Sequence, residues 1–234
     1  EHKKFAPENI VPDFGLRANN GYTQKAAVCL FQLLGDNRIT EKTAMLYKEW
    51  EELFHLSESD KGKNSDIAKR RRVLSEIFKT EINNNDLEYK SLFALQTTYA
   101  IIVKLIACKT ISKLTFDNDT IYFSDLTTIN SEELQLFLER LEDGYIFSNA
   151  GISNLLEGDF FSWYCSENQW GSDESQAIKA IIKTLEGYAN VSFSHKYEVV
   201  DIFKDLYIEI MPPEVRHSFG EYFTPPWLAD FVVK

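Results

Sequence analysis

The run Leu87-Glu88-Tyr89-Lys90-Ser91-Leu92-Phe93-Ala94-Leu95-Gln96-Thr97-Thr98-Tyr99-Ala100-Ile101-Ile102-Val103-Lys104-Leu105-Ile106-Ala107 decides the fold class. Continued to Leu114 it is the longest helical pattern in the chain, and between Tyr99 and Ala107 its apolar residues point nearly all round. A helix without a polar face buries itself among other helices, so the run belongs at the centre of a bundle. Its most apolar part, Leu92 to Ala107, is interrupted by Gln96, Thr97, Thr98 and Lys104, and reads as too short and too polar to span a bilayer.

Asn83-Asn84-Asn85 breaks the chain before this run, and a helix around Asp66 to Lys79 precedes the break. Ser57 to Ser65 is a polar loop. Before it, Thr40 is placed to cap a helix whose Leu46, Tyr47, Trp50, Leu53 and Phe54 form a core-facing stripe. Thr23 to Leu34 gives a further amphipathic helix. Residues 1–20, with Pro7, Pro12 and the turn signal Asn19-Asn20-Gly21, read as an irregular lead-in. On the other side, alternation at Ile121 and Phe123 suggests a short strand or extended loop within Thr115 to Thr128. Glu132 to Leu141, Glu174 to Tyr188 and Glu198 to Ile210 read as helices, and Pro212-Pro213 stops the last. Ile146 to Trp163 is aromatic and Gly-punctuated and gives no clear element. Pro225-Pro226 opens a final helix start.

Composition agrees with a mainly α fold. The 234 residues include only 10 Gly and 6 Pro, too few turns for a sandwich of strands. Acidic residues outnumber basic ones 36 to 25, for a net charge of −11, so this chain by itself is not a general polyanion binder. Cys29, Cys108 and Cys165 are too few and too far apart for a zinc knuckle or a disulfide framework. They read as buried, reduced thiols. With no secretory signal visible, the expected location is the cytoplasm. The start, Glu1-His2-Lys3-Lys4, lacks an initiator Met and reads as an internal or trimmed beginning.

The most specific pattern lies near the C-terminus: Asp205-Leu206-Tyr207, Met211-Pro212-Pro213-Glu214-Val215-Arg216-His217, and Gly220-Glu221-Tyr222-Phe223-Thr224-Pro225-Pro226-Trp227-Leu228-Ala229. This succession resembles the entry to the catalytic domain of the N6-adenine DNA methyltransferases of restriction–modification and phage-defence systems. In that family a helix ending in Leu-Tyr leads to an Arg and then to a Gly-x-Tyr-aromatic-Thr-Pro run opening the cofactor domain. The resemblance implies that Tyr222, Phe223, Thr224 and Pro225 line the methionyl side of a pocket for S-adenosylmethionine. The residue types suit the task. Gly permits a tight turn, an aromatic ring walls an apolar pocket, and a Thr-capped helix start offers N–H groups to a carboxylate. Taken alone, Thr-Pro-Pro is an ordinary helix cap followed by Pro in the first turn.

Gly151-Ile152-Ser153-Asn154-Leu155-Leu156-Glu157-Gly158-Asp159-Phe160-Phe161-Ser162-Trp163-Tyr164 resembles a segment upstream of the methylase core in large enzymes of this kind. So, less sharply, does the Trp50 to Phe54 helix paired with Leu92 to Ala107. By residue type alone, Phe160, Phe161, Trp163 and Tyr164 are core packing. Two family elements are missing. No Gly-rich cofactor loop follows the Thr-Pro segment, and no Asn- or Asp-Pro-Pro-aromatic tetrad holds a flipped adenine. Thr224-Pro225-Pro226-Trp227 imitates the tetrad, but Thr offers no amide or carboxylate oxygen. The chain by itself is therefore expected to be inactive.

Two other constellations carry chemistry on paper. Pro12-Asp13 with Glu88-Tyr89-Lys90 has the residue types of a magnesium nuclease, although Glu88 and Lys90 open a helix where such a site needs a strand. Lys69-Arg70-Arg71-Arg72, with Lys61 and Lys63, reads first as a solvated helix face and second as a DNA contact acting on phosphates. His55, His195 and His217 have no metal spacing.

The expectation is a mainly α, multi-helix N-terminal domain followed by the first elements of a truncated class I methyltransferase domain. Its parts are a lead-in at 1–20, a helical domain at 21–211 and the methyltransferase start at 212–234. By resemblance, the parent protein methylates adenine N6 in a specific duplex sequence. The alternative is a helical interaction domain that docks a specificity or nuclease subunit.

Overall fold

The computed structural model describes residues 2–57, 64–111, 123–153, 160–188 and 202–218. In chain order the helices are α1 (Pro7–Phe14), α2 (Tyr22–Leu34), α3 (Glu41–Ser57), α4 (Asn64–Phe78), α5 (Asn85–Ile111), α6 (Ser131–Glu142), α7 (Tyr145–Asn149), α8 (Ser172–Glu186), α9 (Ile202–Ile210) and α10 (Pro213–Ser218), with 3-10 turns at Asp125–Thr127 and Phe160–Cys165. Among the described residues there is no strand, only a single bridge between Lys3 and Tyr188.

The 27-residue α5 is the axis. Leu92, Phe93, Ala94, Leu95, Ile101, Ile102 and Leu105 are all buried, and α2, α3, α4, α8, α9 and the Phe160–Cys165 turn pack around it. The helix is longer than its most apolar stretch, and by length and composition it would pass as a membrane span. Within that window 72 % of the residues are buried among the other helices. The polar interruptions tie α5 to its neighbours. Thr97 Oγ1 donates to the Phe93 carbonyl at 2.8 Å and accepts from Trp163 Nε1 at 3.0 Å. Lys104 pairs with Glu142 of α6, whose other oxygen accepts from Tyr164 OH at 2.8 Å. Lys109 reaches the Leu185 and Glu186 carbonyls, the orphan acceptors at the end of α8.

Local signals explain the element ends. Thr40 Oγ1 accepts from Thr43 N at 3.2 Å, the expected cap of α3. Asn84 Oδ1 accepts from Leu87 N at 2.9 Å, so the Asn run both breaks the chain and starts α5. Asn130 and Glu133 form a reciprocal capping box that opens α6.

Several expectations need correction. The lead-in is not irregular throughout. Pro7 starts α1, whose Ile10 and Phe14 are buried against α9, and an apolar face of two residues suffices once a partner helix covers it. Leu53 is 53 % exposed, off the α3 stripe that Trp50 and Phe54 bury. Pro212-Pro213 stops α9 but also opens α10, because a Pro at the first helical position loses no hydrogen bond. Phe123 precedes a 3-10 turn, while Ile121 lies outside the described residues.

The buried Lys104–Glu142 pair gives a direct test of this core. Glu142→Leu alone strands an ammonium and should cost about 3–5 kcal/mol, whereas Lys104→Met/Glu142→Leu together should recover much of that loss. Urea unfolding of the three proteins checks it.

Candidate functional site

A packed α-helix turns about 100° per residue, so four consecutive side chains point in four directions and cannot all face solvent. In α4 the inward phase runs through Arg70, Leu74 and Phe78, all buried. Arg70 is only 4 % exposed and pairs with Glu88, which is 1 % exposed on α5. Arg71 Nε donates to the other Glu88 oxygen at 2.7 Å, its Nη1 to the Asn83 carbonyl at 3.1 Å and its Nη2 to Asn85 Oδ1. The run is therefore neither one solvated face nor one phosphate-contacting strip, because half of it locks α4 to α5. Lys69 and Arg72 do face solvent, pairing with Asp66 at 3.6 Å and Glu76 at 3.4 Å. Lys61 and Lys63 lie outside the described residues. The signal was present in the sequence, since Glu88, Leu92 and Leu95 share one phase of α5. An acid in that phase needs a basic partner from a neighbouring helix.

The nuclease-like residues are committed elsewhere. Asp13 accepts from Lys3 Nζ at 2.6 Å and Tyr188 OH at 2.7 Å, and Glu88 is held by the two arginines. Among the described residues no three metal-binding side chains gather. His55 sits edge-on to the Tyr89 ring at 4.7 Å, and His217 is exposed on α10. His195 lies outside the described residues.

At the other end of the chain, α9 buries Leu206 and Ile210, and Tyr207 meets Tyr99 of α5 edge-on at 5.2 Å. Met211 and Val215 are buried on either side of the Pro212-Pro213 corner, and Arg216 Nε donates back to the Met211 carbonyl at 3.1 Å. Arg216 therefore orders the corner between α9 and α10. This corner, α4 and the α1–α2 turn enclose a cleft of about 630 Å³. Its apolar lining includes Leu16, Val73, Ile77, Ile208 and Pro212, and its charged lining is Arg17, Glu76, Glu209, Glu214 and Arg216. Tyr222, Phe223, Thr224 and Pro225, with Gly220, lie outside the described residues. Of the Gly151 to Tyr164 stretch, 154–159 also lie outside. Trp163 and Tyr164 are buried, and Trp163 stacks on Phe93 with centroids 5.7 Å apart, so the aromatic cluster is core packing as expected.

The thiols sit in apolar or acidic surroundings. Burial pushes Cys108 up to about 12. Burial, aided by the Glu174 and Asp173 carboxylates, pushes Cys29 to about 12. Cys165 is raised by burial and by Glu142. None is suited to nucleophilic chemistry, which requires the thiolate. No protein-family model, curated protein or solved structure matches the chain.

Stability measurements probe both the ion pairs and the thiols. Arg70→Ala leaves Glu88 buried with one cation and should cost about 3 kcal/mol, whereas Arg72→Ala should stay within about 0.5 kcal/mol. Denaturant titration distinguishes them. Folding favours the neutral form of the three thiols and of the Tyr47 and Tyr188 phenols, whose values are also raised mainly by burial. The thiol contribution is complete below pH 9.0, the ordinary thiol value, and is lost as pH rises towards about 12. Lys109, which burial lowers to about 8, opposes this because its unfolded form holds a proton to higher pH. One group against five does not reverse the sign. The melting temperature, followed by circular dichroism, should fall steadily above about pH 9.

Proposed function

We infer that this chain is the N-terminal helical region of a cytoplasmic, S-adenosylmethionine-dependent DNA adenine-N6 methyltransferase of restriction–modification type. On this reading the helical domain braces the catalytic domain and helps position duplex DNA. The observation that carries the reading is the ordered succession from Leu206-Tyr207 through Arg216-His217 to Gly220-Glu221-Tyr222-Phe223-Thr224-Pro225. Supporting it, α9 is anchored in the core by Leu206 and Ile210, and Arg216 holds the corner between α9 and α10. A lead anchored by buried side chains suits a segment that must set one wall of a cofactor pocket.

S-adenosylmethionine, when bound, supplies an electrophilic methyl group. The roles assigned to this chain's residues are binding and orientation. Tyr222 and Phe223 give an apolar wall, and Thr224 with the helix start at Pro225 gives polar groups for the amino-acid end of the cofactor.

One observation favours the second reading, a domain that docks a specificity or nuclease subunit without touching DNA. The two solvent-facing cations of the basic run already have acidic partners, in a chain of net charge −11. A single set of titrations on the intact protein separates the readings. Calorimetry should show S-adenosylmethionine binding that Tyr222→Ala or Thr224→Ala weakens by roughly tenfold or more, with helicity unchanged. Failure of the unsubstituted protein to bind the cofactor refutes the methyltransferase assignment. If Lys69→Glu/Arg72→Glu leaves the affinity for duplex DNA and its salt slope unchanged, docking is the role of α4.

A further inference from the structure

Asn20-Gly21, in the turn between α1 and α2, is the one Asn-Gly pair in the sequence. The turn needs its glycine. Gly21 has φ +64°, and a Cβ added there would meet nothing within 4 Å, so conformation rather than space demands it. The same pair is chemically vulnerable, because a residue without Cβ leaves its backbone nitrogen open to the preceding side-chain amide. In the fold that amide is held at both ends. Asn20 Nδ2 donates to the Asp13 carbonyl at 2.9 Å, an orphan acceptor in the last turn of α1. Its Oδ1 accepts from the N–H of Tyr22, the first residue of α2, at 3.0 Å. Thr23 Oγ1 takes the next carbonyl, that of Phe14, at 2.7 Å. One side chain thus closes α1 and opens α2. Gly21 N, meanwhile, donates to the Ala18 carbonyl at 2.9 Å.

These contacts do not all act in one direction. The Tyr22 N–H draws charge from the side-chain carbonyl of Asn20 and by itself favours attack there. The other two oppose it, since Gly21 N must leave Ala18 and turn towards Cγ while Asp13 holds the amide in place. Geometry decides, because no ring closes until the reacting atoms can meet. We propose that Asn20 is a deamidation site that the α1–α2 turn keeps closed and that opening of the turn exposes. In the reaction Gly21 N bonds to Asn20 Cγ and the Cγ–Nδ2 bond breaks. The side-chain nitrogen departs as ammonia, taking the Gly21 amide proton. Water then opens the cyclic imide. Breaking the new bond leaves an aspartyl residue, and breaking at the Asn20 backbone carbonyl leaves an isoaspartyl residue with one more carbon in the main chain. Nothing is oxidised or reduced. Either product has a carboxylate in place of the Nδ2 donor, so the Asp13 carbonyl loses its cap.

Peptide mass spectrometry of the intact chain, incubated at mildly alkaline pH in buffer and in guanidinium chloride, tests this. In denaturant Asn20 should react faster than Asn19, which precedes another asparagine, and Gly21→Ala should slow it several-fold by placing a Cβ beside the nitrogen. Both comparisons are made on unfolded chains, so a variant that folds poorly does not disturb them. In buffer the unsubstituted chain should deamidate at Asn20 roughly tenfold or more slowly than in denaturant, because a closed site reacts only through opening. No preference for Asn20 in denaturant overturns the site. Equal or faster reaction in the folded chain overturns the closure. Asn20→Asp reads the consequence by hydrogen exchange. Amides in the last turn of α1 should exchange several-fold faster, with α5 unaltered, and unchanged exchange in α1 overturns the loss of its cap.

Discussion

Burial of most of α5 is the constraint from which the rest of the architecture follows. At about 1.5 Å per residue its 27 residues extend roughly 40 Å, longer than a small domain is wide. Covering such a rod requires helices along its whole length, which α2, α3, α4, α8 and α9 supply. Along that buried length a polar group has no solvent face to which it can turn. Each polar side chain on it must find a partner in the protein or bear the full cost of desolvation. Glu88 therefore draws in Arg70 and Arg71, Thr97 draws in Trp163, Lys104 draws in Glu142 and Tyr164, and Lys109 takes the end of α8. These contacts fix which neighbour lies at which height along the axis, something the non-directional hydrophobic effect does not specify.

The same constraint settles what the basic run can do. A cluster that looks like one patch in the sequence becomes two inward arginines and two outward cations once α4 is packed against α5. The inward pair serves the fold. Of the four residues 69–72, Lys69 and Arg72 are the ones that face solvent, each with an acid beside it.

The corner that follows α9 is likewise closed by packing. α9 is held against α1 and α5, and the corner at Pro212-Pro213 is closed by buried Met211 and Val215 and by Arg216.

The sequence by itself determined the helical class, the central place of the run that begins at Leu87, as far as the described helix extends to Ile111, and most of the described element boundaries. Those properties come from periodicity, capping residues and scarce Gly and Pro, all of which act within a few neighbouring residues. The aromatic cluster at Phe160 to Tyr164 was legible as core for the same reason, and the resemblance around Gly220 is likewise a property of local residue order. Tertiary structure alone decided the rest: that the lead-in forms α1 on the surface of α9, that Leu53 faces out, that Pro212-Pro213 joins two helices, and that Arg70 and Arg71 point into the protein. Each of these depends on which helix stands opposite, and that pairing is made by residues tens of positions apart, beyond the reach of any local pattern.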